Sequence, residues 1–456
     1  MLLEAWMNHM VDLDEKYGYP LFAYGRFVTK QGSQINTLYH ERDVIKPGWT
    51  KVVRPNTDTL YSSMFYDLSQ ADIVFSIPEF DDRFWSFSFF DLYGNNFSSV
   101  MAHLGDKPGK YRLTFAANND MGLRFNEDTS DEQGVVGCPT PYGVLTVRIL
   151  LRDQKGDVKS VHGFQDAIGT TLVPRQTKIE VPPLDLEIFS QVKGSEGNPV
   201  SEEEQVLHLT AMLSDLNLSE VVRDRSWIAS TLEKAGISNG KFTQPPRTSL
   251  SAAVIEADRS GLALKATSGF VRKLGNDWYA NSPMISGDFR SFYAARYMTA
   301  KRGYLGTSSE QAVYPSYVPP GREAGIPDIT IGPRQAIKVS FSGKPRLHPL
   351  GFWSLSLYGK DQLFIPNELE HYALGDRSDL RYVDGVPLAD REDGKFELLI
   401  QPVDCPPPSQ WNSNWLPAPP GGGEVSFTLR LFGASSAMIE GSYEYPKVTL
   451  MDAITA

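Results

Sequence analysis

Phe84-Trp-Ser-Phe-Ser-Phe-Phe90 constrains the fold more than any other stretch, because its side chains alternate and because a close copy, Phe352-Trp-Ser-Leu-Ser-Leu-Tyr358, stands in the second half of the chain. In an extended strand Trp85, Phe87 and Phe89 share one face and Ser86 and Ser88 the other, and Trp353, Leu355 and Leu357 repeat that pattern against Ser354 and Ser356. A second echo follows in the same order, Leu145-Thr-Val-Arg-Ile149 and Phe427-Thr-Leu-Arg-Leu431. Two matched landmarks predict a duplicated β domain, each copy with one strand face packed on a core.

With 456 residues the chain is too long for a single core, so the duplication sets the expected count of β domains at two. Between them, from Ser201, the apolar period changes from two to about 3.6, which predicts a helical region. Ser201 and Glu204 make a capping box, one helix ends at Gly236, and another spans roughly 249–266. Asp288 is the expected cap of a further helix whose broad face carries Phe289, Phe292, Tyr293, Arg296 and Tyr297. Core packing is the plain reading of that face, and a ligand wall including Tyr293 is the functional one. At the N-terminus a helix over 2–16 is expected to break at Lys16-Tyr-Gly-Tyr-Pro20. Asp72–Pro78 and Phe84–Phe90 read as a hairpin reversed at Asp81-Asp82. Expected boundaries are 1–190, 191–332 and 333–456.

The formal charge of −11 argues against nucleic acid or an anionic membrane as partner, since phosphates are bound by clustered Lys and Arg. Cys138 and Cys405, the two cysteines, have no metal-ligand spacing, and both read as buried free thiols. The start, Met1-Leu-Leu-Glu-Ala-Trp-Met7, lacks the apolar run of a secretory signal, and no window spans a membrane, so a cytoplasmic protein is expected. The seven histidines are scattered, and phosphate-loop, dinucleotide, zinc-peptidase and serine-hydrolase motifs are missing, so neither metal nor cofactor is expected.

Arg54-Pro-Asn-Thr-Asp-Thr-Leu-Tyr-Ser62, with Pro139-Thr-Pro-Tyr142, resembles the module called domain of unknown function 1254. Phe352–Tyr358 with Leu374-Gly-Asp-Arg377, Asn414-Trp-Leu-Pro-Ala-Pro419 and Leu429-Arg-Leu431 is similar to its usual C-terminal companion, domain of unknown function 1214. The resemblance implies a mainly β protein with a helical insertion: two jelly-roll-like antiparallel β-sandwiches. It implies no reaction.

The candidate site is a polar cluster that the second half does not repeat. Asp58 is placed as general base, Tyr61 or Tyr93 as acid or oxyanion donor, and Arg54 as the anchor for an anionic substrate group. Asn56 and Thr59 would bind substrate beside them. A plain alternative is an Asx turn between Asn56 and Asp58, with Arg54 paired to Asp58. The long loop from Pro406 to Gly421, carrying Trp411 and Trp415, is read as a further binding element or as a flap over a sheet edge. These residues suggest a cofactor-independent lyase, isomerase or cyclase for a small, largely apolar molecule, with its cleft at the domain junction. The alternative is a non-catalytic sandwich that binds carbohydrate or assembles as a homo-oligomer.

Overall fold

The computed structural model describes residues 2–32, 34–50, 53–116, 120–126, 131–153, 156–175, 179–190, 200–321 and 329–455, with side chains from residue 14 onward except at Lys265. The opening helix corrects the first expectation: it runs unbroken over Leu2–Gln31, through Pro20. Proline removes one intrahelical donor, but the helix gains tertiary partners through two close approaches, one at Gly18 within the expected break and one at Gly25 beyond it. A Cβ on Gly18 would lie 1.8 Å from Thr210 Oγ1, and one on Gly25 2.8 Å from the Phe189 ring. That close approach buries Tyr17, Leu21, Tyr24 and Val28, and burial of this extent outweighs intrinsic propensity.

The first β region has two five-stranded sheets. One is ordered Tyr39–His40, Thr59–Asp67, Tyr142–Leu150, Trp85–Asp91, Asn96–Met101; the other Gly169–Pro174, Ala71–Ile77, Gly109–Phe115, Gly134–Cys138, Gly122–Phe125. The expected hairpin is therefore absent, because Ala71–Ile77 and Trp85–Asp91 lie in different sheets. Ile73, Phe75 and Ile77 meet Trp85, Phe87 and Phe89 within one hydrophobic cluster, so the strands pack face to face and not edge to edge. Alternation specifies which face is apolar and leaves the hydrogen-bonded neighbour open. The link between the strands is held by buried Arg83, which donates to Asp157 Oδ2 (2.7 Å), Asp81 Oδ2 (2.7 Å) and the Leu150 carbonyl (2.9 Å).

The second β region repeats much of this. Gly423–Ala434 pairs with Leu347–Gly359, which pairs with Ala373–Gly375. The companion sheet runs Trp415–Ala418, Phe396–Pro402, Gln335–Phe341, Lys447–Asp452. Its senses match those of the first region: Gln335–Phe341, like Ala71–Ile77, has an antiparallel neighbour on each side, and the next pairing outward is parallel. Trp85, Ser86, Phe87, Ser88 and Phe89 lie opposite Ile149, Arg148, Val147, Thr146 and Leu145. Trp353, Ser354, Leu355, Ser356 and Leu357 lie opposite Leu431, Arg430, Leu429, Thr428 and Phe427. All four serines are buried. The Pro406–Gly421 loop extends the sheet edge through its Trp415–Ala418 strand, parallel to Phe396–Pro402. Trp415 tucks into its own sheet, donating from Nε1 to the Gln401 carbonyl at 3.0 Å.

The helices between these regions are Glu202–Leu213, Arg225–Lys234, Leu250–Ala266 and Tyr293–Gly303. Ser201 Oγ accepts from the Glu204 amide at 3.2 Å, as the capping box requires. The last helix begins after Phe292 and not at Asp288, because Gly287 and Arg290 take positive φ and turn the chain first. Tyr17, Leu21 and Tyr24 share one core with Leu209, Ile228 and Ala253 and with Phe65, Phe90 and Tyr142 of the first β region. The helices thus form a layer on that region. The segment expected to connect, 191–332, also supplies strands Ala312–Val313 and Ile329–Ile331 to the second sheet. Among the described residues no helix is long and apolar enough to cross a membrane.

Candidate functional site

The sequence-predicted residues separate into two places. At the junction of the β regions, Arg54, at φ 50°, donates from Nε to Gln362 Oε1 (2.8 Å) and from Nη1 to Thr428 Oγ1 (3.0 Å). Asn56 Oδ1 accepts from the Asp58 amide at 2.6 Å, forming the Asx turn, and Asn56 Nδ2 reaches Thr59 Oγ1 at 3.4 Å. Asp58 does not pair with Arg54. Its Oδ1 accepts from Arg377 Nη2 at 2.5 Å and its Oδ2 from Ser354 Oγ at 2.6 Å. Both partners belong to the second β region, and Asp58 is only 3% exposed. A carboxylate engaged on both oxygens by the opposite β region ties the two regions together.

Arg430 completes this layer, donating to Ser356 Oγ, to Tyr358 Oη and to the Arg54 and Pro55 carbonyls. Phe84, Leu150, Phe352 and Phe432 form an apolar cluster across the same junction. Half-buried Tyr61 lies under the Arg148 guanidinium, 5.3 Å from carbon to ring centroid. An open groove of about 580 Å³, lined by Arg42, Lys46, Trp49, Thr57, Glu370 and Tyr372, runs beside the loop that carries Asp58. Half-buried Trp411 and buried Trp415 are not among its lining residues.

Tyr93 and Tyr293 meet instead around Arg296, between the first β region and the helical layer. Arg296 is 2% exposed, and its guanidinium carbon stands 4.7 Å from the Tyr93 ring centroid, 4.9 Å from that of Tyr17 and 5.0 Å from that of Tyr293. Nη2 donates to the Tyr17 carbonyl at 3.0 Å, while Nε is buried without an acceptor. The Tyr93 hydroxyl donates to the Asn217 carbonyl (2.7 Å) and that of Tyr293 to Asp224 Oδ2 (2.9 Å). Burial raises both phenols well above their ordinary range, which keeps them protonated.

Three carboxyls surround this cage. Asp91, fully buried at the end of its strand, accepts from the Asn95 amide (2.8 Å) and Nδ2 (2.7 Å). Burial nevertheless pushes it up to about 6. Burial, then the charges of Asp288 and Asp91, push Glu220 up to about 9. Glu220 Oε1 and Asp288 Oδ1 are buried and lack any donor. The other oxygen of Asp288, Oδ2, accepts from Arg290 Nε at 3.3 Å. Part-exposed Asp288, and Trp227 stacked on Tyr293, mark where this cluster reaches solvent. Among the described residues no group of three His, Cys, Asp or Glu is arranged to hold a metal.

Sequence reasoning placed Arg296 on an aromatic helix face but missed Asp91 and Glu220 and took Asp288 for a helix cap alone. Its one available signal was Phe89-Phe90-Asp91, a carboxylate directly following an apolar strand.

The fold and these sites define a two-part β protein joined through a helical layer. The chain belongs to the family in which two such modules follow one another: residues 35–171 match the model described as protein of unknown function (DUF1254), and residues 330–436 the model described as protein of unknown function (DUF1214). Among solved structures, the VPA0106 protein from Vibrio parahaemolyticus is 17% identical, with a TM-score of 0.64 over 98% of this chain and 100% of that one. An uncharacterized protein from Burkholderia cenocepacia is 10% identical, with a TM-score of 0.45 over 96% of this chain and 88% of that one. The first likeness concerns the fold alone. No curated protein matches the chain.

Proposed function

We propose that the chain is a cofactor-independent acid–base enzyme of the isomerase, lyase or cyclase type, acting on a small, largely apolar molecule in the Arg296 cage. The observation that carries this reading is the convergence of two carboxyls with unpartnered buried oxygens, Glu220 Oε1 and Asp288 Oδ1, with a buried guanidinium whose Nε is uncommitted. The ionised member of the pair takes a proton from carbon beside a carbonyl, and the electron pair moves onto the carbonyl oxygen. Arg296 Nε donates to that oxyanion. The protonated member then returns a proton to another carbon, or to a departing oxygen as its bond to carbon breaks. Tyr17, Tyr93 and Tyr293 supply apolar walls, and Asp91 balances the Arg296 charge. Asp58, Arg54, Asn56 and Thr59 align the two β regions in this reading, a positioning role in place of the catalytic role expected of Asp58 and Arg54 and the substrate-binding role expected of Asn56 and Thr59.

The test uses Glu220→Gln. Incubated with small-molecule extracts, the native protein consumes a compound that the variant spares; equal consumption by both overturns the assignment. Stability gives a second readout. A carboxyl raised from 4.5 to about 9 contributes stability that is full below pH 4.5 and is lost as pH rises through 9, because the native state holds the proton longer. Native stability should therefore decline across that window by at most about 1.4 kcal/mol per pH unit, and the variant should lose this slope. An unchanged slope removes Glu220 as the proton carrier.

We further infer that the two β regions are jelly-roll-like sandwiches descended from one duplicated unit. The matched cross-strand pairs and matched strand senses support this.

A further inference from the structure

The polar face of the first sheet carries a second guanidinium with free donors. Arg148 lies opposite Ser86 on one neighbouring strand and opposite Tyr61 on the other. It is half-buried, yet its Nε and Nη1 are themselves buried and have no acceptor. Thr146, two residues along on the same face, has an equally buried Oγ1 without a partner. The serines that could have served Arg148 are taken, since Gln311 Nε2 donates to Ser86 Oγ and Gln311 Oε1 accepts from Ser88 Oγ, both at 2.8 Å.

No carboxylate of the described chain pairs with Arg148, and Asp58 is held by Arg377 and Ser354. Buried charges in native proteins are paired or bind something, because an unpaired one costs several kcal/mol. Tyr314, whose ring is 37% exposed, carries a buried hydroxyl that feels the charges of both Arg148 and Arg430, so an aromatic ring stands between this face and solvent. We propose that Arg148 receives the carboxylate of a small aromatic or apolar acid, with Thr146 Oγ as second donor and the Tyr61 and Tyr314 rings flanking the apolar body. One free cation suits a monoanion. A phosphate dianion calls for more, and the neighbouring Arg54 and Arg430 are already engaged.

The experiment is a thermal-shift and calorimetric titration of the full chain with benzoate, its neutral analogue benzamide, and inorganic phosphate. Benzoate well above its Kd should raise Tm by about 2 °C or more, and benzamide should not. Arg148→Gln should fold and weaken benzoate at least tenfold, while Arg148→Lys keeps part of the binding. The proposal is overturned if benzoate does not bind the native chain, if Arg148→Gln binds it equally well, or if phosphate acts as strongly as benzoate. Failure of both variants to fold also overturns it, since the guanidinium would then be structural.

Discussion

Arg148 and Arg430 occupy the same place in two matched sheets, each opposite a serine that follows a buried tryptophan, and each two residues from a threonine on the same face. Their surroundings differ completely. Arg430 is 4% exposed and donates to Ser356 Oγ (2.6 Å), Tyr358 Oη (2.6 Å), Arg54 O (2.9 Å) and Pro55 O (3.1 Å). Arg148 has no acceptor at Nε or Nη1. The difference comes from what crosses each face. Across the second sheet, residues 54–58 present carbonyls and a carboxylate; across the first, Gln311 satisfies the serines and leaves the arginine open. Local pattern thus decides where a side chain points, and a distant segment decides whether it becomes architecture or a site.

The sharpest way to break this comparison is Arg430→Met. It removes the donor to the Ser356 hydroxyl and the Arg54 carbonyl, and leaves the Pro55 carbonyl and the Tyr358 hydroxyl with only each other in a buried layer. The expected loss is about 3–5 kcal/mol, read from urea unfolding. A loss below about 1 kcal/mol would mean that the contacts of Arg430 do not hold the junction, and the contrast with Arg148 would collapse.

Asp58→Asn should have the next largest effect. Asparagine preserves the turn and the bond to Ser354 but leaves Arg377, whose side chain is 18% exposed, paired with Asp376 alone. Partial exposure reduces the penalty, so about 1–3 kcal/mol is expected. A double-mutant cycle with Arg377→Ala checks the cause. Coupling under about 0.5 kcal/mol would show that the pair does not secure one β region to the other.

Much of the local architecture was legible because it depends on short-range periodicity. Alternation marked the Trp85 and Trp353 strands, and Ser201 with Glu204 marked a helix start. The hairpin failed because Phe75 and Phe87 share a core without sharing an edge, a distinction that alternation does not encode. The helix running through Pro20 depends on Gly18 meeting Thr210 and Gly25 meeting Phe189, contacts that no local window contains. The candidate site was partly visible for the same reason. Asp58 and Asn56 form the local turn they suggested, but the partner of Asp58 is Arg377, 319 residues away. The carboxyls around Arg296 come from three separate segments.

The smallest expected effect sharpens the comparison most. Arg148→Met removes a cation that satisfies no described group at Nε or Nη1, so only its packing over Tyr61 is lost, and methionine retains part of that. Desolvating the guanidinium disfavours the native state, and deleting it relieves that cost. The two terms oppose, and unliganded stability should stay within about 0.5 kcal/mol of native or rise. Set beside Arg430→Met under the same unfolding conditions, the pair measures what a matched register leaves undetermined. A loss at Arg148 comparable to that at Arg430 would make both arginines structural and end the distinction between the two faces.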